Sequence, residues 1–391
     1  MFKEITIIGG AGHVGLAFGL ICTSKNIKVH LHDINSKQLN IIKNGKMPHM
    51  ETGAQKILNR ALKKNLLSFS DNKKDLKLNN INIICIGTPV DEFLNPQYKI
   101  ILSLVKDLLK LIKNNQHFII RSTVYPGTTD FLYNFFRNNN KKIKLSFCPE
   151  RFVQGSAIIE WKKTPQIIGS VNEASYKECE KFIKKISKDV IILKPIEAEL
   201  TKLFLNSFRY IGFSIANQFY TISDSLGIDY SRIDHAMRSK YPRGKNIPTP
   251  GLTAGPCLFK DTMQLYSFAQ NNFSLGMDAM TINEGMVNYI IDRLKLKYDL
   301  SKKTIGILGM SFKAENDDSR SSLSYKLKKM LMVNANKVFT TDPYIKYDKD
   351  ITSLNQTIMK SDILILATPH KVYKNIKTKK PIIDIWNFIK K

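Results

Sequence analysis

The chain has 391 residues, 43% hydrophobic and 24% charged, a composition that excludes a disordered polyelectrolyte and allows two or three packed units. Sixty Lys and Arg against 33 Asp and Glu give a formal charge of +27, a field that attracts phosphate-bearing ligands. The lysines are spread along the whole chain among Asn and Ile, the pattern of a solvated basic surface, so no nucleic-acid partner is expected.

The stretch from Ile5 to Cys22 is broken by Gly9, Gly10, Gly12 and Gly15 and lacks a small-residue cleavage pattern, so it reads as a strand and turn rather than a signal segment. No other run approaches the ~20 apolar residues of a membrane helix, and no membrane insertion is expected. Strands are expected at Ile5–Gly9, Lys28–Asp33, Ile81–Gly87, Phe118–Ser122 and Lys144–Cys148, alternating with helical patterns, which means a parallel doubly wound sheet. One long helix is expected from Glu197 to Leu226, a spine between two lobes. A second α/β unit opens at Lys303, with strands at Thr304–Leu308, Lys337–Thr340, Ile363–Ala367 and Ile382–Ile385. The lobes echo each other, since N-I-I-C-I-G-T-P near Ile86 resembles D-I-L-I-L-A-T-P near Leu366, each placing Thr-Pro beyond a buried strand. In open α/β sheets ligands sit outside the carboxyl ends of the strands, so two facing sheets would form a cleft for two ligands.

Gly10, Gly12 and Gly15 supply G-x-G-x-x-G directly after a strand and before an apolar helix. On this reading Gly10 makes the turn, Gly12 admits a pyrophosphate and Gly15 lets helix and strand pack closely. Asp33 ends the second strand roughly twenty residues on, where a carboxylate accepts from the ribose hydroxyls of NAD and repels the extra phosphate of NADP. His13, inside the fingerprint, reads as a helix-start residue rather than a catalyst.

Five cysteines, Cys22, Cys85, Cys148, Cys179 and Cys257, lack C-x-x-C or paired metal spacing, so neither a disulfide framework nor a metal site is expected and a reducing cytoplasm fits. Cys257 stands in T-A-G-P-C-L-F-K-D-T, residues 253–262. A helix beginning near Pro256 would place it in the first turn, where unpaired N–H groups and the dipole stabilise a thiolate. Lys260 adds positive charge and Asp261 returns to the same face one turn on. The spine helix carries Glu199, Lys202 and Asn206; the last two form an i, i+4 pair able to stabilise an alkoxide jointly.

With these residues in place, the whole chain resembles the UDP-glucose/GDP-mannose dehydrogenases, the nucleotide-sugar 6-dehydrogenases. The blocks run in the family's order: Gly10–Gly15, Thr88-Pro89, R-S-T-V-Y-P-G-T-T at Arg121–Thr129, C-P-E-R at Cys148–Arg151, E-A-E-L-T-K-L-F-L-N at Glu197–Asn206, G-P-C-L-F-K-D at Gly255–Asp261 and F-K-A-E-N-D-D-S-R at Phe312–Arg320. The resemblance implies two Rossmann-like doubly wound parallel-sheet domains joined by a central helical domain: residues 1–195 for NAD, 196–300 for dimerisation and the reactive cysteine, 301–391 for the nucleotide sugar. It implies a homodimer through the central helix and a role in polysaccharide biosynthesis.

It also implies roles. Cys257 is the nucleophile, Lys202 and Asn206 hold the oxyanion, Asp261 with Thr123 positions water, and Glu150 stands near the reacting carbon. Gly10, Gly12, His13, Val14, Gly15, Asp33, Thr88, Pro89, Ser122, Thr123 and Lys260 form the NAD site. Glu150, Arg151, Lys202, Asn206, Arg243, Gly255, Phe312, Lys313 and Arg320 contact substrate, Arg243 across the dimer. The implied reaction is a four-electron oxidation of the C6 alcohol to a uronate through a thiohemiacetal and a thioester on Cys257. One departure stands out: Gln154 occupies a position where the UDP-glucose branch has a second glutamate. With the P-E-R form, that favours a UDP-N-acetylhexosamine, ManNAc or GlcNAc, over UDP-glucose and GDP-mannose. Rival classes are a two-electron hydroxyacid dehydrogenase, which has no need of Cys257, a non-catalytic NAD-binding protein and a nucleic-acid-binding protein.

Overall fold

Strand β1 (Glu4–Ile8) is buried on both faces, Ile5 and Ile7 joining one apolar cluster and Ile8 another. This is the signature of a central strand in a covered parallel sheet. The computed structural model describes residues 2–91, 93–253 and 255–389. The chain divides into two compact units, Met1–Leu205 and Asn206–Lys391.

In the first unit β1 is followed by β2 (Lys28–His32), β3 (Leu67–Ser70), β4 (Ile81–Ile84), β5 (His117–Ile120), β6 (Lys144–Phe147), β7 (Gln166–Ser170) and β8 (Val190–Leu193). They form one sheet in the order β3-β2-β1-β4-β5-β6-β7-β8. The expected parallel, doubly wound arrangement is present, with one departure: β7 runs antiparallel to β6. The expected strands are present but end one to three residues early, because the backbone turns into loops where the β-branched runs stop. The second unit holds a wholly parallel sheet of β9 (Thr304–Leu308), β10 (Lys337–Thr341), β11 (Ile363–Leu366) and β12 (Ile382–Ile383), in the order β10-β9-β11-β12. The fold is thus two Rossmann-like sheets and a long central helix, Pro195–Ser225, which begins in the first unit and ends in the second.

The nucleotide-binding turn differs in one detail from the sequence reading. Gly9, not Gly10, takes the left-handed conformation (φ +82°), and a Cβ there would lie 2.5 Å from the carbonyl oxygen of Cys85. Both Gly9 N and Gly10 N donate to His32 O, at 2.9 and 3.0 Å, tying the turn to the end of β2. Gly15 behaves as expected: a Cβ there would meet Gly9 O at 2.1 Å, so only glycine lets the His13–Ser24 helix sit this close to the turn. Among the described residues, no helix is long and apolar enough to cross a membrane.

Candidate active site

His13 is the first residue of the His13–Ser24 helix, capped by Gly12, as expected of a helix-start residue. Gly12, His13 and Val14 are half-buried at the helix mouth. A Cβ on Gly12 would have only Gly9 O nearby, at 3.6 Å, so the backbone N–H groups there open onto space that a pyrophosphate can enter. Asp33 Oδ2 accepts from Ala11 N and Oδ1 from Asn35 N, each at 2.9 Å, which holds the carboxylate at the carboxyl end of β2. The turn, the open N–H cradle and the strand-end carboxylate fit a dinucleotide.

At the carboxyl ends of β4 and β5, the Thr88 hydroxyl donates to the carbonyl of Thr123 and Ser122 Oγ donates to Ile86 O at 2.7 Å. Pro89 is exposed beside them. Beyond β6, Glu150 Oε2 lies 3.5 Å from Lys202 Nζ, while its Oε1 is buried without a hydrogen-bond partner among the described residues. The guanidinium of Arg151 donates to the carbonyl of Pro165. Gln154 Nε2 stands 3.1 Å from His13 Nε2, so the residue that departs from the UDP-glucose pattern touches the nucleotide-binding loop.

The second unit contains Asn206, Cys257, Lys260 and Asp261, all singled out from the sequence. Cys257 is the N-cap of the Leu258–Phe268 helix, one position outside the first turn expected for it. Its thiol is exposed, whereas Cys22, Cys148 and Cys179 are buried and Cys85 is half-buried. Burial pushes the thiols of Cys22 and Cys179 well up and that of Cys85 to about 12, which keeps them protonated and inert. Asp261 N donates to Cys257 O at 2.9 Å, placing the Asp261 carboxylate one turn on. That carboxylate is fully buried, accepting from Asn206 Nδ2 at 2.5 Å on one oxygen and paired with Lys260 on the other. Lys260, expected at the cofactor, is thus engaged with its neighbour's carboxylate.

Gly255 (φ +117°) faces Phe312, whose Cδ2 would lie 2.6 Å from an added Cβ, so the backbone before Cys257 packs on the aromatic ring. Arg320 is gripped by Asp318, which raises its already high pKa, and the side chain of Cys257 is among its electrostatic neighbours. Lys313 is half-buried in the same 312–320 loop. Arg243 stands apart, exposed on the short Pro242–Gly244 turn with Tyr241 as its neighbour at 3.5 Å.

Two positions not singled out from the sequence shape this loop. Asp342, at the end of β10, accepts from Met310 N and Ser311 N at 2.7 and 3.0 Å and lies 3.1 Å from His370 Nε2. Glu315 N donates to His370 Nδ1 at 3.0 Å, so the ring is fixed with Nε2 facing Asp342. Asp342 ends the second strand of its lobe as Asp33 does in the first, and His370 follows the repeated Thr-Pro; those two echoes were the available signal.

Comparison with known proteins agrees with this geometry. Residues 3–187 match the NAD binding domain of the UDP-glucose/GDP-mannose dehydrogenase family, 196–285 its central domain and 306–391 its UDP binding domain. A UDP-N-acetyl-D-mannosamine dehydrogenase of Methanococcus maripaludis is 30% identical over 96% of this chain and 88% of its own. One of Pyrococcus horikoshii is 29% identical over 97% of this chain and 95% of its own. A solved structure of a UDP-D-ManNAc dehydrogenase from Pyrococcus horikoshii superposes with a TM-score of 0.91 at 27% identity, covering 99% of this chain and 96% of that one. With its NAD cradle and its ordered motif blocks, the chain belongs to the UDP-glucose/GDP-mannose dehydrogenase family and is an NAD-dependent oxidoreductase acting on a nucleotide sugar.

Proposed function

We propose that the protein oxidises the C6 alcohol of a UDP-N-acetylhexosamine, UDP-N-acetylmannosamine foremost, to the uronate in two steps on Cys257. The observation that carries this is the exposed Cys257 at a helix start, one turn before a buried Asp261 held by Asn206 and Lys260. The sugar assignment rests on the relatives named for UDP-N-acetyl-D-mannosamine and on Gln154 in place of a second glutamate.

Gly10, Gly12, His13, Val14, Gly15 and Asp33, with Thr88, Pro89, Ser122, Thr123 and Lys260, would hold NAD, which supplies the hydride acceptor. Lys202 and Asn206 donate to the C6 oxygen as the alcohol gives up its proton and hydride, with Glu150 holding Lys202 in place. The Cys257 thiolate adds to the aldehyde carbon, forming a C–S bond, and Lys202 and Asn206 stabilise the resulting oxyanion. Loss of the hydroxyl proton to solvent and of a second hydride from that carbon, which a second NAD would accept, leaves a thioester. A water positioned by Asp261 and Thr123 adds to the thioester carbonyl, the C–S bond breaks, and Cys257 departs as thiolate while protons pass to solvent. Gly255, Phe312, Lys313 and Arg320, with Arg151 and a partner's Arg243, would hold the sugar nucleotide.

This reading divides the chain into residues 1–195, 196–300 and 301–391 and pairs it as a homodimer in the cytoplasm, serving polysaccharide biosynthesis. The central helix supports pairing: Phe204, Phe208, Ile215, Phe219 and Ile222 are exposed along it, Phe208 by 77%.

The test is NADH yield from UDP-N-acetylmannosamine, UDP-N-acetylglucosamine, UDP-glucose and GDP-mannose, with wild type and Cys257→Ala. Two NADH per UDP-N-acetylmannosamine and none from the variant are expected. One NADH per sugar, or a fully active Cys257→Ala, would refute the thiohemiacetal route.

A further inference from the structure

The second turn of the central helix carries a carboxylate, Glu199, that the reaction scheme does not use. Glu199 is fully buried, its Oε2 accepting from Gly127 N at 2.6 Å and its Oε1 from Thr129 N at 2.8 Å and Thr129 Oγ1 at 2.5 Å. These donors open the Thr128–Asn138 helix, whose own N-cap, Gly127, has no side chain to offer. A helix usually takes its cap from a local Ser, Thr, Asp or Asn. Here the capping group comes from about seventy residues away, so the cap also ties two elements together.

Each tied element carries a group assigned to the chemistry. The loop between β5 and the Thr128–Asn138 helix holds Thr123, whose carbonyl accepts the Thr88 hydroxyl. It is braced by Thr128 Oγ1 donating to Tyr125 O at 2.6 Å and by the Tyr98 and Tyr125 rings, 5.5 Å apart. On the other side, Lys202 lies three residues after Glu199, on the same helix face. The helix is seated independently at Gly169 of β7, where a Cβ would be 2.8 Å from Ala198 Cβ. Seating at Ala198 sets the helix depth, and the clamp at Glu199 sets its roll about its axis. Together they deliver Lys202 to Glu150 at 3.5 Å.

We propose that Glu199 is a positioning residue for the oxidation: its buried carboxylate clamps the Thr123 loop to the Lys202 turn, so that the two reacting-side groups keep a fixed spacing. This rests on the roles given above to Lys202 and Thr123. Burial pushes the Glu199 carboxyl up, while its three fixed donors and the helix N-terminus pull the other way and favour the charged form. An amide of the same shape must turn its NH2 toward at least one of those donors, so Glu199→Gln keeps the volume and breaks the clamp. Glu199→Asp keeps the charge and withdraws it by about one C–C bond, roughly 1.5 Å.

The experiment compares wild type, Glu199→Gln and Glu199→Asp by kcat, by KM for NAD, and by the isotope effect on kcat with a UDP-sugar carrying two deuteriums at C6. Amide hydrogen exchange across residues 125–129 is read alongside. A misplacement near 1 Å costs on the order of 10²-fold in rate. We expect kcat to fall by about that factor in both variants, KM for NAD to stay within about twofold, the isotope effect to rise as hydride loss becomes limiting, and exchange at 127 and 129 to accelerate. The proposal is overturned if kcat stays within about threefold of wild type, if its loss is matched by loss of titratable Cys257 thiol with an unchanged isotope effect, or if exchange at 127 and 129 is unaltered. Wild-type NADH yield scores the proposed function separately, and exchange reports on the clamp whatever that yield.

Discussion

Replacing Asn206 by Ala removes the donor that holds Asp261 Oδ2 at 2.5 Å inside a fully buried site. Lys260 still pairs with the other carboxylate oxygen, so the charge is not orphaned, but one oxygen loses its only side-chain donor among those described above. A hydrogen bond to a buried charged group contributes about 1.5–3 kcal/mol. Taking about 2 kcal/mol for a unit of 150–250 residues gives a melting shift of about 4–8 °C. Activity should suffer more than stability, because Asn206 is also assigned to the oxyanion, and losing one such donor costs roughly 10²–10³ in kcat. The assay is differential scanning calorimetry with steady-state NADH formation on the same preparation. Asn206→Asp, which sets a second carboxylate against Asp261, should lower both further. A melting temperature within about 1 °C of wild type, together with kcat within about threefold, would refute the assignment of Asn206 to this site.

Other perturbations isolate other parts of the molecule. Gly255→Ala forces a side chain into φ +117° and into the Phe312 ring, so it should destabilise by about 2 kcal/mol or more and raise KM for the nucleotide sugar while leaving KM for NAD unchanged; equal effects on both constants would contradict the placement. Asp33→Ser should lower kcat/KM with NAD and raise it with NADP, and a wild type using both equally would remove Asp33 as the discriminator. Burial holds His30 down to about 4 and His117 down to about 3, so both stay neutral in the fold and protonate more readily once unfolded. Their contribution is therefore complete above about pH 6.5 and declines as pH falls, at about 1.4 kcal/mol per pH step for each, down towards pH 4. Urea unfolding at pH 7, 6, 5 and 4 measures that slope, and His117→Gln should flatten it by one proton's share.

What the sequence revealed was the part that local pattern encodes. Thr304–Leu308 is a strand over the residues expected, and the central helix begins two residues before and ends one before its expected bounds, because β-branched runs and helical spacing are properties of neighbours. Where the choice lay between adjacent residues, the pattern was silent. Either Gly9 or Gly10 could turn the chain, and the close approach of Cys85 O decided for Gly9. Cys257 fell just outside its helix rather than inside it for the same reason, since Gly255 is committed to packing on Phe312. The antiparallel β7, Glu199 as a distant cap, and the His370–Asp342 pair were illegible because each is defined by a partner many residues away. The hydrogen bond from the Arg151 guanidinium to the carbonyl of Pro165 was illegible for the same reason, since the motif marks the residue and not its partner.

The two strand-end aspartates have different evolutionary prospects. Asp33 is half-buried with two backbone donors, so a single substitution there can retune which dinucleotide is preferred without dismantling anything beneath it. Asp342 is 5% exposed and accepts from Met310, Ser311, Tyr344 and Ile345 backbone amides as well as facing His370. A change there removes the acceptor that four backbone amides share, those of Met310 and Ser311 among them. Nucleotide preference in the second lobe should therefore drift through residues carried on the 310–320 loop, with the strand end itself held constant across lineages that have exchanged one sugar for another.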